Sequence, residues 1–358
     1  MAKFTDIFED VTKQGTKIPT NLYLETGMYP IIDQGQSQVA GYTNETEGVF
    51  TDIPAIIFGD HTRIIKYVDT PCFLGADGVK LLKAKDPTAN YKYLYYALCN
   101  ADIPNTGYNR HFKWLKEIEI AECSIEEQNS IVAQFEKIDT LICLRKQQLS
   151  KLEELVKSRF IEMFGDPENN PYGHPTKKLS DIASYWNGLT YKPEDVQDQG
   201  TIVLRSSNIQ NSQLDFEDTV RVACRIREKQ YVKNNDILMC SRNGSAKLVG
   251  KVALITNITE PMSFGAFMMI IRSDYYRYLM TYFQMDAFRN QIKTGATTTI
   301  NQITGNMLNK VTLPVPDLSI VSRFATLVEQ TDKSKFEIQK SLEKLETLKK
   351  ALMQKYFG

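Results

Sequence analysis

Residues 124–165 read SIEEQNSIVAQFEKIDTLICLRKQQLSKLEELVKSRFIEMFG. Within them Phe135, Ile142, Leu149, Val156 and Met163 recur every seven residues, with Ile131, Ile138 and Leu152 at the companion position. An a/d pattern sustained over about four heptads lines one side of a helix with a narrow apolar seam, which is buried by packing along another helix. Ser124-Ile125-Glu126-Glu127 fits a capping box at the start, and Gly165 followed by Pro167 marks the stop. About 40 residues at ~1.5 Å of rise each make a rod of about 60 Å.

A second seam lies in the same chain. Residues 317–358 read DLSIVSRFATLVEQTDKSKFEIQKSLEKLETLKKALMQKYFG, and a slide of 193 positions (317 − 124) lays them on the first stretch without a gap. Asp317 falls on Ser124, Val328 on Phe135, Asp332 on Asp139, Leu342 on Leu149 and Leu345 on Leu152. Leu348 falls on Leu155, Tyr356 on Met163, and Phe357-Gly358 on Phe164-Gly165, while Ile338 and Leu352 continue the second seam. Matches this numerous in one register mark an internal duplication. The seams are interrupted by Lys335 and Lys349 at a positions and by Arg145 and Arg159 at d positions.

The duplication reaches upstream. Leu115-x-x-Ile118-x-Ile120 and Leu308-x-x-Val311-x-Leu313 keep one offset and predict a strand leading into each helix. Phe4-Thr5-Asp6-Ile7 matches Leu179-Ser180-Asp181-Ile182, and Ala55-Ile56-Ile57-Phe58 matches Asp236-Ile237-Leu238-Met239. Phe73-Leu74-Gly75-Ala76 returns as Ser263-Phe264-Gly265-Ala266. Offsets drift between these phrases, as they do when loops differ in length over a shared framework. Short β-rich runs accompany one helical stretch in each half, over 91–100 and 276–292, so the fold class is α+β with an internal pseudo-twofold repeat. The chain divides into a globular domain over 1–123, a helix over 124–165, a turn-rich linker and second globular domain over 166–316, and a second helix over 317–358.

Composition sets the outer bounds. The 358 residues suffice for two or three domains, and 42% hydrophobic with 24% charged residues excludes disordered and fibrous classes. No apolar run approaches the ~18 residues of a membrane span, and the first residues carry no signal-peptide stretch. Six cysteines without a C-x-x-C pair argue for reduced thiols in a cytoplasm and against a zinc site. The formal net charge is zero, with 12 basic and 16 acidic side chains over 1–123 and 17 and 14 over 166–316. A chain that grips DNA on this balance needs a partner to share the neutralisation of phosphates.

Catalytic motifs are missing. Asn170-Pro171-Tyr172 lacks the second proline of an amine-methyltransferase loop and sits in the linker, where turn chemistry accounts for it. Gly244-Ser245-Ala246-Lys247 lacks the glycine spacing of a P-loop and reads as the polar tip of a hairpin. Asp52, Asp60 and Lys66 are too loosely spaced for a nuclease centre, and His61, His111 and His174 have no metal-ligand spacing. What remains is a set of donor-rich loops inside otherwise apolar folds. The first half offers His61, Thr62 and Arg63, then Tyr108, Asn109, Arg110 and Lys113. The second offers Arg205, Ser207 and Asn208, then Arg242, Asn243 and Lys247, then Thr297, Thr298, Asn301 and Gln302. Arg, Asn, Gln and Thr read base edges, and Ser, Thr and Lys hold phosphates, although surface loops are polar in any protein.

Residues 118–128, ending Ser124-Ile125-Glu126-Glu127-Gln128, resemble the strand, break and helix start of the specificity subunits of type I restriction–modification enzymes. Leu313-Pro314-Val315-Pro316-Asp317-Leu318 is similar to their second helix start, and residues 297–303 to a stretch common before it. Asn235-Asp236-Ile237-Leu238 resembles their "G-D-I-L" strand with Asn for Gly. Cys123 departs from a usual proline, Ile320-Val321 from a Glu-Gln pair, and Gly188 stands alone where two glycines are common. The resemblance implies two target-recognition domains separated by two long helices packed as an antiparallel coiled coil. Each domain would read one half of a bipartite double-stranded DNA target, and the helices would set the gap. It further implies two methyltransferase (modification) subunits and motor–nuclease (restriction) subunits as partners, which would carry S-adenosylmethionine, ATP and Mg, with no cofactor in this chain. Two other readings stand beside it: a nuclease or methyltransferase in its own right, which the missing motifs oppose, and a coiled-coil protein scaffold without DNA specificity.

Overall fold

The computed structural model describes residues 1–75, 78–292 and 302–358. It divides into two units, one of residues 1–147 with 338–358 and one of residues 148–337.

In the first unit a four-stranded antiparallel sheet runs in the order Phe8–Asp10, Val79–Ala84, Ala55–Gly59, Ile65–Val68. A three-stranded sheet orders Gly41–Thr43, Tyr29–Ile32, Phe73–Leu74, its last pair parallel. Strand Ala55–Gly59 is buried at every residue, so its period-two alternation is apolar on both faces. Ile56 and Phe58 pack with Tyr91, Leu94 and Leu98 of helix Tyr91–Cys99. Ala55 and Ile57 face the other way, with Ile32, Leu74 and Leu81. Asn90 caps the helix, its Oδ1 accepting from the Tyr93 amide at 3.1 Å.

The second unit has the same strand order and senses. Ser184–Asn187, Met268–Arg272, Ile237–Cys240 and Val252–Leu254 form its four-stranded sheet, and Arg221–Val222, Val196–Leu204 and Met262–Phe264 its three-stranded one. Individual hydrogen bonds repeat too. The Phe4 amide donates to the Ile118 carbonyl at 3.0 Å and the Leu179 amide to Val311 at 2.9 Å. The Tyr93 hydroxyl donates to the Ala121 carbonyl at 2.8 Å and the Tyr278 hydroxyl to Pro314 at 2.6 Å. Both acceptor pairs are separated by the offset of the helices, 311 − 118 and 314 − 121 each giving 193.

The long helices span Ile125–Phe164 and Leu318–Phe357, 40 residues each. Ser124 Oγ accepts from the Glu127 amide at 3.2 Å, and the Asp317 carbonyl accepts from Ile320 and Val321 at the second start. Gly165 ends the first helix at φ +76°, where a Cβ would also lie 2.5 Å from Pro171. In the first unit the early part of one helix meets the end of the other: Gln134 pairs with Tyr356, Asp139 with Lys349, Lys146 with Glu346. In the second unit Phe160 and Phe164 lie 5.7 and 5.2 Å from Phe324. In the first unit rising numbers on one helix meet falling numbers on the other, and in the second the end of the first helix meets the start of the second, so the pair is antiparallel. Phe135, Ile138, Val328 and Leu342 are buried, and Ile142, Leu149, Leu152, Val156, Ile338, Leu345 and Leu352 half-buried. Lys349 occupies its seam position because Asp139 neutralises it and the Tyr96 ring lies 5.9 Å away. Asp139 also accepts from the Tyr96 hydroxyl at 2.9 Å, and its repeat mate Asp332 accepts from Arg277 at 2.8 Å. The duplicated acid thus ties each globular part to its own helix segment.

Two expectations are corrected. The segments leading into the long helices are not strands throughout. Helical turns Phe112–Leu115 and Gly305–Leu308 precede short strands Glu119–Ile120 and Thr312–Pro314, which pair with Ala2–Lys3 and Thr176–Lys178. Leu115 and Leu308 close the turns, Ile118 and Val311 lie in the connections after them, and of the repeated apolar positions only Ile120 and Leu313 are in strands. Residues 276–292 form two helices, Tyr276–Tyr282 and Asp286–Ile292. Bonds from Gln284 to Thr281 and from Met285 to Tyr282 tighten the turn between them. All six cysteines are free, and burial pushes the Cys72 thiol up to about 11, so it acts as a core apolar group.

Candidate nucleic-acid interface

In each unit the connections between strands bring polar loops together at one place. In the first, residues 33–38 follow strand Tyr29–Ile32, residues 60–64 follow Ala55–Gly59, and residues 105–111 precede the turn Phe112–Leu115. Asp60, 4% exposed, joins them. Its amide donates to Gly78 at 2.7 Å, its carbonyl accepts from the His111 amide at 2.8 Å, and its Oδ1 accepts from the Phe112 amide at 2.7 Å. His111 is fully buried, with Nδ1 2.9 Å from the same carbonyl. A buried carboxylate satisfied by backbone donors is a structural clamp. Asp52 is paired with Lys83 and Lys66 with Asp33, so the three residues form no acid–lysine centre.

On this frame the His61 ring stacks on Tyr108 with centroids 4.6 Å apart and planes 8° from parallel, and Tyr108 is 87% exposed. His61 Nδ1 lies 3.2 Å from the Asn109 carbonyl, and Asn109 Nδ2 donates back to Thr106. Thr62 Oγ1 donates to the Gln34 carbonyl at 2.7 Å. Arg63 sits at φ +62°, a left-handed conformation costing a non-glycine residue about 1 kcal/mol, and Nη1 donates to Ile103 at 2.9 Å. Arg110 is exposed on the same loop, and Lys113 is exposed with Nζ 4.0 Å over the Trp114 ring.

Ser241 takes the place of Asp60 in the second unit. Its amide and hydroxyl both donate to the Phe267 carbonyl at 2.9 Å, and its carbonyl accepts from Ile303 at 2.7 Å. Arg242 is exposed, its guanidinium 5.3 Å from the Phe267 ring, and its backbone bridges to Gln302. Asn243 Nδ2 donates to Ser206 Oγ at 3.1 Å, which links loop 205–208 to the hairpin that also carries the exposed Lys247. Ser207 is half-buried, its carbonyl accepting from Gln210. Asn208 is 1% exposed and works internally: Oδ1 accepts from the Arg205 amide at 2.8 Å, and Nδ2 donates to the Asp215 and Asp218 carbonyls at 2.8 and 3.0 Å. The amide pattern that suggested a base reader therefore holds the loop. Arg205 pairs with Asp218 at 2.7 Å. Thr297, Thr298 and Asn301 lie outside the described residues.

Two elements of these tips escaped the sequence reading. Phe267, 58% exposed, follows the repeated phrase that ends at Ala266 and belongs to no motif of its own. Loop 33–38 was legible only through its register: Ile31-Ile32 pairs parallel with Phe73-Leu74 as Val203-Leu204 pairs with Ser263-Phe264, which makes 33–38 the counterpart of 205–208. Among the described residues no cluster of His, Cys, Asp or Glu is placed to hold a metal ion, and no helix is long and apolar enough to cross a membrane.

A mixed domain built twice, each copy carrying a tip of polar loops and segments of two long helices, defines a tandem, helix-linked recognition protein. The family model for the type I restriction modification DNA specificity domain matches residues 1–154 and again 173–352. The chain belongs to that family and carries the domain twice. It is 28% identical over 196 residues to the type I restriction enzyme StySPI specificity subunit of Salmonella potsdam, and 26% identical over 196 residues to the EcoKI specificity subunit of Escherichia coli (strain K12). Each alignment takes in 51% of this chain and 42% of the relative, so the match spans less than half the length of these relatives. The crystal structure of the type I restriction–modification S subunit from M. genitalium shares the fold, with a TM-score of 0.59 at 16% identity over 99% of this chain and 95% of that one. A structure from work on complex assembly and conformational transition of the type I R-M system gives 0.55 at 16% identity over the same shares.

Proposed function

We propose that this chain is the sequence-reading subunit of a type I restriction–modification complex, with each globular domain reading one half of a bipartite double-stranded DNA target and the helices setting the gap. The observation that carries the reading is the polar loop tip built twice, clamped at equivalent positions by Asp60 and Ser241, in a repeat whose helices superimpose without a gap. Base edges are read by side chains held in register, and both tips hold theirs through buried backbone bonds. The chain supplies the address and no catalytic residue. Two methyltransferase subunits bring S-adenosylmethionine and flip the target base, and motor–nuclease subunits bring ATP and Mg. The zero net charge fits an assembly in which those partners share the phosphate contacts.

Co-expression with the partner methyltransferase and mapping of methylated adenines in host DNA is expected to return a split motif with a constant internal gap. A stable complex that methylates nothing new, or a continuous motif, rules the reading out. Inserting seven residues at the equivalent positions Gln148 and Ser341 preserves the a/d phase and adds about 10 Å of helix. At ~3.4 Å per base pair the gap is expected to grow by about three base pairs with both half-sites intact, and an unchanged gap would sink the spacer role.

A further inference from the structure

Loop 33–38, Asp33-Gln34-Gly35-Gln36-Ser37-Gln38, is held more firmly than a connection between two strands requires. Asp33 Oδ1 accepts from the Gly35 amide at 2.8 Å. Gln34 is bonded at both ends, its Oε1 accepting from the His61 amide at 3.1 Å and its carbonyl from Thr62 Oγ1. Gln38 Nε2 donates to the Tyr67 carbonyl at 2.7 Å. Lys66, only 2% exposed, sits beneath the loop with its ammonium donating to the Ser37 carbonyl and to Asp33 Oδ1 at 3.4 Å. Gly75 leaves the room for this packing, since a Cβ there would lie 2.4 Å from that of Asp33.

Taking a lysine out of water is unfavourable, and burial lowers the Lys66 pKa below the ordinary lysine value while Asp33 opposes the shift. The repeat mate of Lys66 is Ala253, because Phe58 pairs with Ile65 as Met239 pairs with Val252. In the second unit the buried Asn208 holds the corresponding loop instead. The two copies reach one result, a rigid loop at the tip, through unrelated chemistry. This fastening leaves two exposed side chains of the loop outside it, the short Ser37 and the longer Gln36, and of the two Gln36 carries the carboxamide.

We infer that Gln36 is a base-reading residue of the first domain and that its carboxamide recognises the adenine of an A·T pair. Buried Lys66 is the positioning residue that holds the loop in register. The inference rests on the proposed DNA-reading function. A glutamine amide donates and accepts through adjacent atoms, which matches the N6–H and N7 of adenine in the major groove. Such a bidentate pair discriminates only if its backbone is fixed, which is what the bonds to Asp33, Gln34, Ser37 and Gln38 accomplish.

The test uses the full chain co-purified with its methyltransferase partner and a random duplex library, with bound sequences read for the wild type, Gln36→Ala and Lys66→Met. Wild type is expected to select a split site with an A·T pair at the position concerned. Gln36→Ala is expected to lose between about 5- and 150-fold preference at that one pair, leaving the other half-site and the gap unchanged. Lys66→Met is expected to blur the same pair while Gln36→Ala in the Lys66→Met background adds little. A wild-type split site with unaltered preferences in Gln36→Ala, or weakening uniform over all sequences, overturns the assignment and leaves the DNA-reading function standing. Absence of any split site in the wild type overturns both.

Discussion

Phe324→Ala is expected to lower the stability of the second unit by about 3–5 kcal/mol. The ring is fully buried and meets Phe160 and Phe164 of the first long helix edge-on at 5.7 and 5.2 Å, with Tyr278 of the globular part stacked on Phe160 at 5.0 Å. Truncation removes the one side chain of the second long helix in this aromatic group, and three rigid rings can collapse only partly into the space. For the unit of residues 148–337, each kcal/mol moves the melting temperature by about 2–4 °C, so a fall of roughly 6–20 °C is expected. The two tryptophans make the measurement selective, since Trp114 belongs to the first unit and Trp186 to the second. In a Trp114→Phe background, emission follows the second unit alone. A melting temperature within a degree of the parent would mean that the helices do not meet there.

Arg272→Met is expected to destabilise the same unit by about 3 kcal/mol, the lower end of the range for breaking a buried ion pair. Asp236 is 1% exposed and receives Nε and Nη2 of Arg272 at 2.7 Å each, an arrangement that holds the guanidinium charged. The lower end applies because Arg272 is 35% exposed, and water screens part of the interaction. Loss of the arginine leaves Asp236 with the Lys233 amide at 2.7 Å as its remaining donor. Asp236→Asn in the Arg272→Met background is expected to recover part of the loss, because an uncharged amide oxygen accepts from Lys233 without a buried charge. Urea unfolding of both single variants and the double variant measures the coupling, and strictly additive effects would show that the pair is not linked.

The helix pair was legible because its information is local and repeated. An a/d pattern over four heptads names a helix and its buried face together, and the constant 193-residue slide exposes the second copy without any knowledge of contacts. The mixed class followed from strand phrases that recur, with Phe58 answering Met239 and Phe73 answering Ser263, and the sheets pair them in those registers. Short segments were less legible. Leu115, Ile118 and Ile120 fit a strand or a helical turn equally well until pairing with Ala2–Lys3 decides which residues extend.

At the tips, residue type named the chemistry but not the assignment. Asn208 and Gln36 carry the same carboxamide, yet one is buried beneath its loop and the other is exposed upon it. Asp60 stood too far in spacing from Asp52 and Lys66 to suggest a nuclease centre, and only the fold shows it as a clamp, because the amides of His111 and Phe112, about fifty residues on, fold back to meet it. The sequence by itself determined the duplication, the long helices, the apolar strands and the absence of known catalytic motifs, since periodicity and spacing act over a few neighbours along the chain. Tertiary structure alone decided which polar side chains hold the loops and which are left facing water, because hydrogen bonds to buried backbone groups join residues that the chain keeps far apart.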